Sequence, residues 1–267
     1  MRGISIGAIS LRVVVYAVFA ITMVPIAYTI VFSFNDPVKT NIVWRQFTFD
    51  NWLNICRDPN VCVAFGNSIL VAVLATLIST VLGTMIALAL GRYRFRLRNA
   101  TNLLLFLPLA TPEVVMGASL AAQFLSFGVP KGLHTVVIAH VVFTMSFVVV
   151  TVKARVATLD PSLEEAGRDL YANPIRVFWK ITFPLLLPGI LAAAMLAFAL
   201  SFDDFIITQF NSGAFSPFPK YVYTAAARGI PPEANVIGSM VFLIAMAIVV
   251  AVQVRSVLRR RRLAKAK

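Results

Sequence analysis

The sequence predicts an all-α membrane protein that crosses the bilayer six times, and three observations carry this. Of 267 residues, 59% are hydrophobic and 13% charged, and mean hydropathy is +0.85; soluble domains run near half apolar and a quarter charged. The charges cluster, leaving apolar stretches of about 20 residues, the length that spans the hydrocarbon core as a helix. Short alternating segments of the kind a membrane β-barrel needs do not occur.

The first expected span is Leu11–Phe34. Met1-Arg2 before an apolar run imitates a signal peptide, but the run is long for one and no small-residue cleavage site follows before Asn35-Asp36-Pro37. It reads as an uncleaved anchor, followed by a loop to residue 64. The second span, Phe65–Gly91, ends at the basic cluster Arg92, Arg94, Arg96, Arg98. The third, Asn99–Phe127, contains Pro108 and Pro112, which should break the helix and free backbone carbonyls. The fourth is Leu133–Lys153. After a charged loop come the fifth, Pro184–Phe205, and the sixth, Ala234–Val254, with a basic tail at 256–267.

Lys and Arg orient this array. With the N-terminus inside, the inner segments hold Arg2 and Arg12, the four arginines from 92 to 98, Lys153, Arg155, Arg168, Arg176 and Lys180. They also hold the tail's Arg255, Arg259 to Arg262, Lys265 and Lys267. That is 18 of the 24 basic residues, against Lys39, Arg45, Arg57, Lys131, Lys220 and Arg228 outside. The positive-inside rule therefore expects both termini and the 154–183 loop in the cytoplasm. The net charge of +13 then reads as topology and affinity for anionic lipid rather than nucleic-acid binding.

The loop after the fourth span is the most informative stretch. Asp160 suits an N-cap and Pro161 the first helical position, and Leu163, Ala166 and Leu170 recur at i, i+3 and i+7 as one apolar stripe. Glu164, Glu165, Arg168 and Asp169 fall on the remaining faces. Asn173-Pro174 repeats the start signal for a second short helix carrying Ile175, Phe178 and Trp179. Two short helices joined by a turn form a knob able to enter a partner's groove; an ordinary capped connection is the plainer alternative.

The residues decide between them by resemblance. Glu165, Ala166, Ile181 and Pro184, extended by Pro188-Gly189-Ile190, match in order and spacing the EAA loop of ABC importer permeases. SFDDFIITQFNSG and FPKYVYTAAARGIPPEANVIGS, with TPEVVMGASL and SFVVVTVKAR upstream, resemble the spermidine/putrescine group of that family over about residues 65–255. The resemblance implies a type I importer transmembrane domain at 65–255 in a bacterial inner membrane, the second and shorter permease of a pair. It implies a second permease subunit, two copies of an ATPase docked on the loop 160–184, and an extracytoplasmic binding protein facing segments 35–64 and 208–233. Glu164, Glu165, Ala166, Gly167, Arg168, Asp169, Tyr171 and Pro174 would form the ATPase contact. Three positions depart from the family pattern: Gly167 for a second Ala, Phe183 for Leu, and Tyr171 where Gly is expected. A side chain at a left-handed helix end costs on the order of 1–2 kcal/mol, so Tyr171 either accepts that strain, marks a different turn, or packs its ring on the ATPase.

No GxxxxGK[ST] loop is present, so the chain is expected to be a non-catalytic pathway and transducer, binding no cofactor or metal itself, with ATP and Mg held by the partner. For the solute, the acids expected at membrane depth are Glu113, Asp203 and Asp204. Asp203-Asp204 lie some 19 residues, roughly 28 Å, past Pro184, at the outer mouth, with Glu113 midway along the third span. Such residues mark a pathway or a paired network. Here they suit either a cation or the plainer roles of capping and satisfying freed amides. The resemblance favours polyamines, with ferric iron or an organic acid as other solutes of the same scaffold.

Cys56 and Cys62 can close a small disulfide loop, or Cys62 can simply begin the second span. His134 and His140 have no partner at ligand spacing and read as structural. Trp44 and Trp52 suit the membrane interface better than a binding-protein contact. A secondary transporter would share six spans and deep acids but not need the 160–184 loop. A membrane enzyme would need convergent catalytic groups, for which Glu113 and His140 are the weak candidates.

Overall fold

The computed structural model describes residues 6–37, 41–227 and 229–265. Arg2, Lys39, Arg228 and Lys267, which the orientation argument counts, lie outside the described residues. Helices dominate: α1 Ile6–Phe32, α2 Asp50–Leu53, α3 Pro59–Arg92, α4 Arg98–Ala110, α5 Glu113–Ser126, α6 Leu133–Ala157 and α7 Ser162–Asp169. Then follow α8 Pro174–Val177, a π turn Phe178–Thr182, α9 Phe183–Asp203, α10 Ile206–Asn211, α11 Phe218–Ala226 and α12 Pro232–Lys265. Among the described residues five helices are long and apolar enough to cross a membrane, and α4 with α5 makes a sixth if that bent pair is one span.

The chain divides into two compact units, one of Met1–Cys62 with Val222–Lys267 and one of Val63–Tyr221. In the first, α1 packs along α12, Thr29 facing Gly238. The segment after α1 folds on buried asparagines. Asn35 donates to Asn41 Oδ1 (2.8 Å) and to the Val43 carbonyl (2.9 Å), and Asn51 donates to the carbonyls of Ser33 and Asn35. Each bond satisfies a polar group that burial would otherwise leave without water. Phe34, Phe47, Phe49 and Trp52 stack above them, and Trp52 Nε1 donates to Ser33 Oγ. Trp52 thus belongs to the loop's own core, whereas Trp44 stays 43% exposed. Cys56 and Cys62 are joined in a disulfide, although Cys62 also sits in the first turns of α3, so both readings of that residue hold together.

The second unit is built on α6, whose apolar window is 61% buried, the most of any span. Val148, Val149, Val152 and Val156 meet Ala87 and Leu90 of α3 and Leu186, Ala193 and Ala197 of α9. Gly83 and Gly91 let α3 approach this closely: a Cβ at either would fall 2.6 or 2.5 Å from a methyl of Val148 or Val156. Small residues at such crossings are the usual means by which membrane helices gain packing contact.

The structure refines three expectations. The third span, Asn99–Phe127, breaks as its prolines predict, into α4 and α5, which meet at 109°. Pro108 remains inside α4, and the break falls at Pro112, which disfavours helical backbone at the residue before it; Thr111 is extended at ψ 130°. The second short helix of the 160–184 loop does not stand alone. It opens as expected, with Asn173 Oδ1 accepting from Arg176 N at 2.8 Å, but α8 continues through the π turn into α9, one helical run over Pro174–Asp203. Within the basic tail expected at 256–267, α12 continues as helix to Lys265.

Candidate functional site

Two clusters of expected site residues lie in the second unit. The first is α7 with its flanking turns. Asp160 Oδ1 accepts from Ser162 N at 2.9 Å, and this bond holds the exposed carboxyl below the ordinary aspartate range. Glu164 and Glu165 occupy the first turn, where the helix dipole favours negative charge.

At the other end Tyr171 takes φ +58°, the one left-handed non-glycine position among the described residues. Ala172 N donates to the Gly167 carbonyl (3.2 Å) and Tyr171 N to the Arg168 carbonyl (2.8 Å), the paired bonds of a Schellman end. Tyr171 therefore accepts the strain, and its ring is 98% exposed. Tyr171→Gly is expected to stabilise the chain by about 1 kcal/mol, read as a higher midpoint for thermal unfolding of the detergent-solubilised protein.

The helix presents two faces. Glu164 and Gly167, one turn apart, point into the unit: Glu164 Oε1 accepts from Arg92 Nη2 at 2.8 Å and from Thr182 Oγ1 at 2.9 Å. Glu165, Ala166, Arg168, Asp169, Tyr171 and Pro174 are exposed, as expected of a contact face. The apolar stripe of Leu163, Ala166 and Leu170 also faces outward, with Leu170 83% exposed, beside Ile175 and Trp179. Exposed apolar side chains interspersed with charged ones suit an interaction surface. Glu164 and Gly167 instead hold that surface to the helices beneath it.

The second cluster is acidic. Expected as a pair at a mouth and a single group deeper in, the three carboxyl residues share one cavity of about 380 Å³ with Phe143, Leu200, Phe205 and Ile206. The bend before α5 makes this possible, since it brings Glu113, the first residue of α5, to the end of α9. The two aspartates differ in role. Asp204 is 8% exposed; its carboxylate accepts from the amides of Ile207 (3.2 Å) and Thr208 (2.8 Å), capping α10. Its Oδ2 also lies 3.2 Å from His140 Nε2. Asp203 and Glu113 are exposed and turn to the cavity.

His140, expected to be structural, is tied to partners far along the chain. Buried at 1% exposure, it bonds Ser201 Oγ through Nδ1 (2.7 Å) and Thr208 Oγ1 through Nε2 (3.0 Å). These partners lie more than sixty positions along the chain, so no local spacing could reveal them.

A family model described as binding-protein-dependent transport system inner membrane component matches residues 79–262. The chain belongs to that family. The permease is thus a multi-pass inner-membrane component of a transport system that depends on a binding protein. It is 30% identical to the spermidine/putrescine transport system permease protein PotC of Haemophilus influenzae over 89% of this chain and 93% of that one. Against PotC of Escherichia coli it is 32% identical over 89% and 90%, and against the E. coli putrescine transport system permease protein PotI 34% over 84% and 82%. In fold the permease is similar to a chain from a bacterial ABC transporter involved in the import of the acidic polysaccharide alginate, with TM-score 0.67, 17% identity, and 96% and 98% of the two chains covered. A chain of the MetNI methionine ABC transporter gives TM-score 0.58 at 15% identity over 76% and 97%.

Proposed function

We propose that the permease forms part of the translocation pathway of an ATP-driven polyamine importer. The observation that carries this is the cavity that Glu113 and Asp203 line with Phe143, Leu200 and Phe205. A polyamine is a chain of ammonium groups separated by methylenes. Carboxylates answer the ammoniums, aliphatic and aromatic walls the methylenes, and an aromatic face adds attraction for a cation. The polyamine names of relatives spanning most of the chain support the same solute.

In this reading the chain is not itself an enzyme and holds no cofactor. A separate ATPase, in two copies, binds and hydrolyses ATP with Mg, and the exposed face of α7 takes one of them from the cytoplasm, where both termini also lie. A second permease subunit completes the pathway, and an extracytoplasmic binding protein delivers solute to the opposite side. Closure of the ATPases moves the α7 surface, and the spans alternate between outward and inward access.

The test is ATP hydrolysis by the reconstituted complex with its binding protein, against spermidine, putrescine, ferric iron and glutamate. Stimulation by a polyamine alone is expected. Stimulation by iron or glutamate instead would remove the polyamine claim and leave the importer.

A further inference from the structure

Glu164 is an unusual member of a contact helix, because its carboxylate is spent inside the chain. A single oxygen, Oε1, accepts from Arg92 Nη2 at the last turn of α3 and from the Thr182 hydroxyl at the end of the π turn. Both ionic side chains are about four-fifths buried, 21% and 18% exposed, so water competes weakly and the charge-assisted bonds keep their strength.

Each partner is placed for this contact by its own element. Arg92 lies at the C-terminal end of α3, where the helix dipole favours a cation. The π turn adds a residue to the helical run, as such turns do at functional positions; it leaves Thr182 6% exposed while Phe178, Trp179 and Phe183 cluster their rings together. Gly167, one turn after Glu164, allows α7 to lie against the same turn, a Cβ there falling 2.7 Å from Ile181 Cδ1 and 3.3 Å from Val177 Cγ2.

We propose that Glu164, Arg92 and Thr182 form a positioning brace that fixes α7 to the ends of α3 and α9, so that displacement of α7 reaches both spans together. This rests on the reading of α7 as the ATPase contact. With one oxygen serving both bonds, α7 cannot tilt without releasing α3 or the base of α9. Glu164 thereby transmits through Arg92 and Thr182, while its neighbour Glu165 is left exposed to meet the partner.

The test uses the full complex in proteoliposomes, with spin labels at Tyr93→Cys and Ser162→Cys, two exposed positions flanking the brace; Cys56 and Cys62, being disulfide-bonded, take no label. In the parent chain the distance between labels is expected to be narrowly distributed and the same with and without ATP. In Glu164→Gln and Arg92→Gln it broadens, and solute moved per ATP hydrolysed falls about fivefold or more. The exchange Arg92→Glu with Glu164→Arg restores the narrow distribution and brings the ratio back to within about twofold. Should the charge variants not assemble, Thr182→Val removes one bond without altering charge and is expected to lower the ratio about twofold. An unchanged distance distribution, an unchanged ratio, or an exchange no better than the single variants overturns the proposal. The distance measurement needs no solute, so a wrong solute leaves it intact. Failure of the ATPase to co-purify with the parent chain would instead overturn the reading of α7 on which the brace rests.

Discussion

Asp203→Asn is expected to lower polyamine uptake about tenfold or more, while the complex assembles as before. The substitution keeps volume, exchanges one acceptor oxygen for an amide donor and removes one charge from the cavity, where Asp203 lies exposed at the end of α9. Losing one ammonium–carboxylate contact there corresponds to about 1.4 kcal/mol per factor of ten. Glu113→Gln should act in the same direction. Combined, the two losses multiply if the carboxylates hold different ammoniums and fall short of the product if they share one, so the double variant reports how the solute lies. Asp204 provides the contrast. Its carboxylate is committed to the amides of Ile207 and Thr208 and to His140. Asp204→Ala should therefore cost about 0.5–2 kcal/mol of structure through the lost cap and reduce the amount of assembled complex. Asp204→Asn, which still caps, should reduce it less. Uptake normalised to assembled complex separates the two aspartates, and equal effects of Asp203→Asn and Asp204→Asn on it would count against this division.

The spans were legible because their signal is length and polarity, which need no partner. The start of the 160–184 element was legible for a local reason as well: Asp160 and Asn173 bond amides two and three residues ahead. Tyr171 could be singled out because the family it resembles has glycine there, the residue a left-handed helix end favours. What the sequence hid depends on distance along the chain or on choice among equals. Pro108 and Pro112 look alike as helix breakers, yet only the second opens a 109° bend, and that bend brings Glu113 to Asp203. Nothing near Glu164 tells that its partners are Arg92 and Thr182, or that the apolar stripe of α7 faces outward while a glutamate and a glycine face in. Amphipathic pattern identifies which residues share a face; it does not identify the face that meets the rest of the chain.

Gly167 brings that last distinction to a measurable point. Gly167→Leu is expected to reduce solute-stimulated ATP hydrolysis by more than tenfold, because a branched side chain cannot fit between α7 and the π turn. The nearest atoms are Ile181 Cδ1 at 2.7 Å and Val177 Cγ2 at 3.3 Å from a Cβ alone, and overpacking of this kind costs about 1–3 kcal/mol. The helix would relieve it by moving outward, away from the oxygen-sharing contact of Glu164 and out of register with its partner. Gly167→Ala should behave differently. The closest atom is the end of a flexible isoleucine that can swing aside, and alanine gains about 0.8–1.0 kcal/mol over glycine in a helix interior, so hydrolysis should stay within about twofold of the parent. A graded series, with alanine tolerated and leucine not, places the requirement at the buried face of α7. If alanine were as damaging as leucine, the approach would be too close even for a Cβ, and Ile181 would not be able to swing aside. Gly167 is not among the positive-φ glycines, and it lies inside a regular helix, so backbone freedom has no role for it to fill.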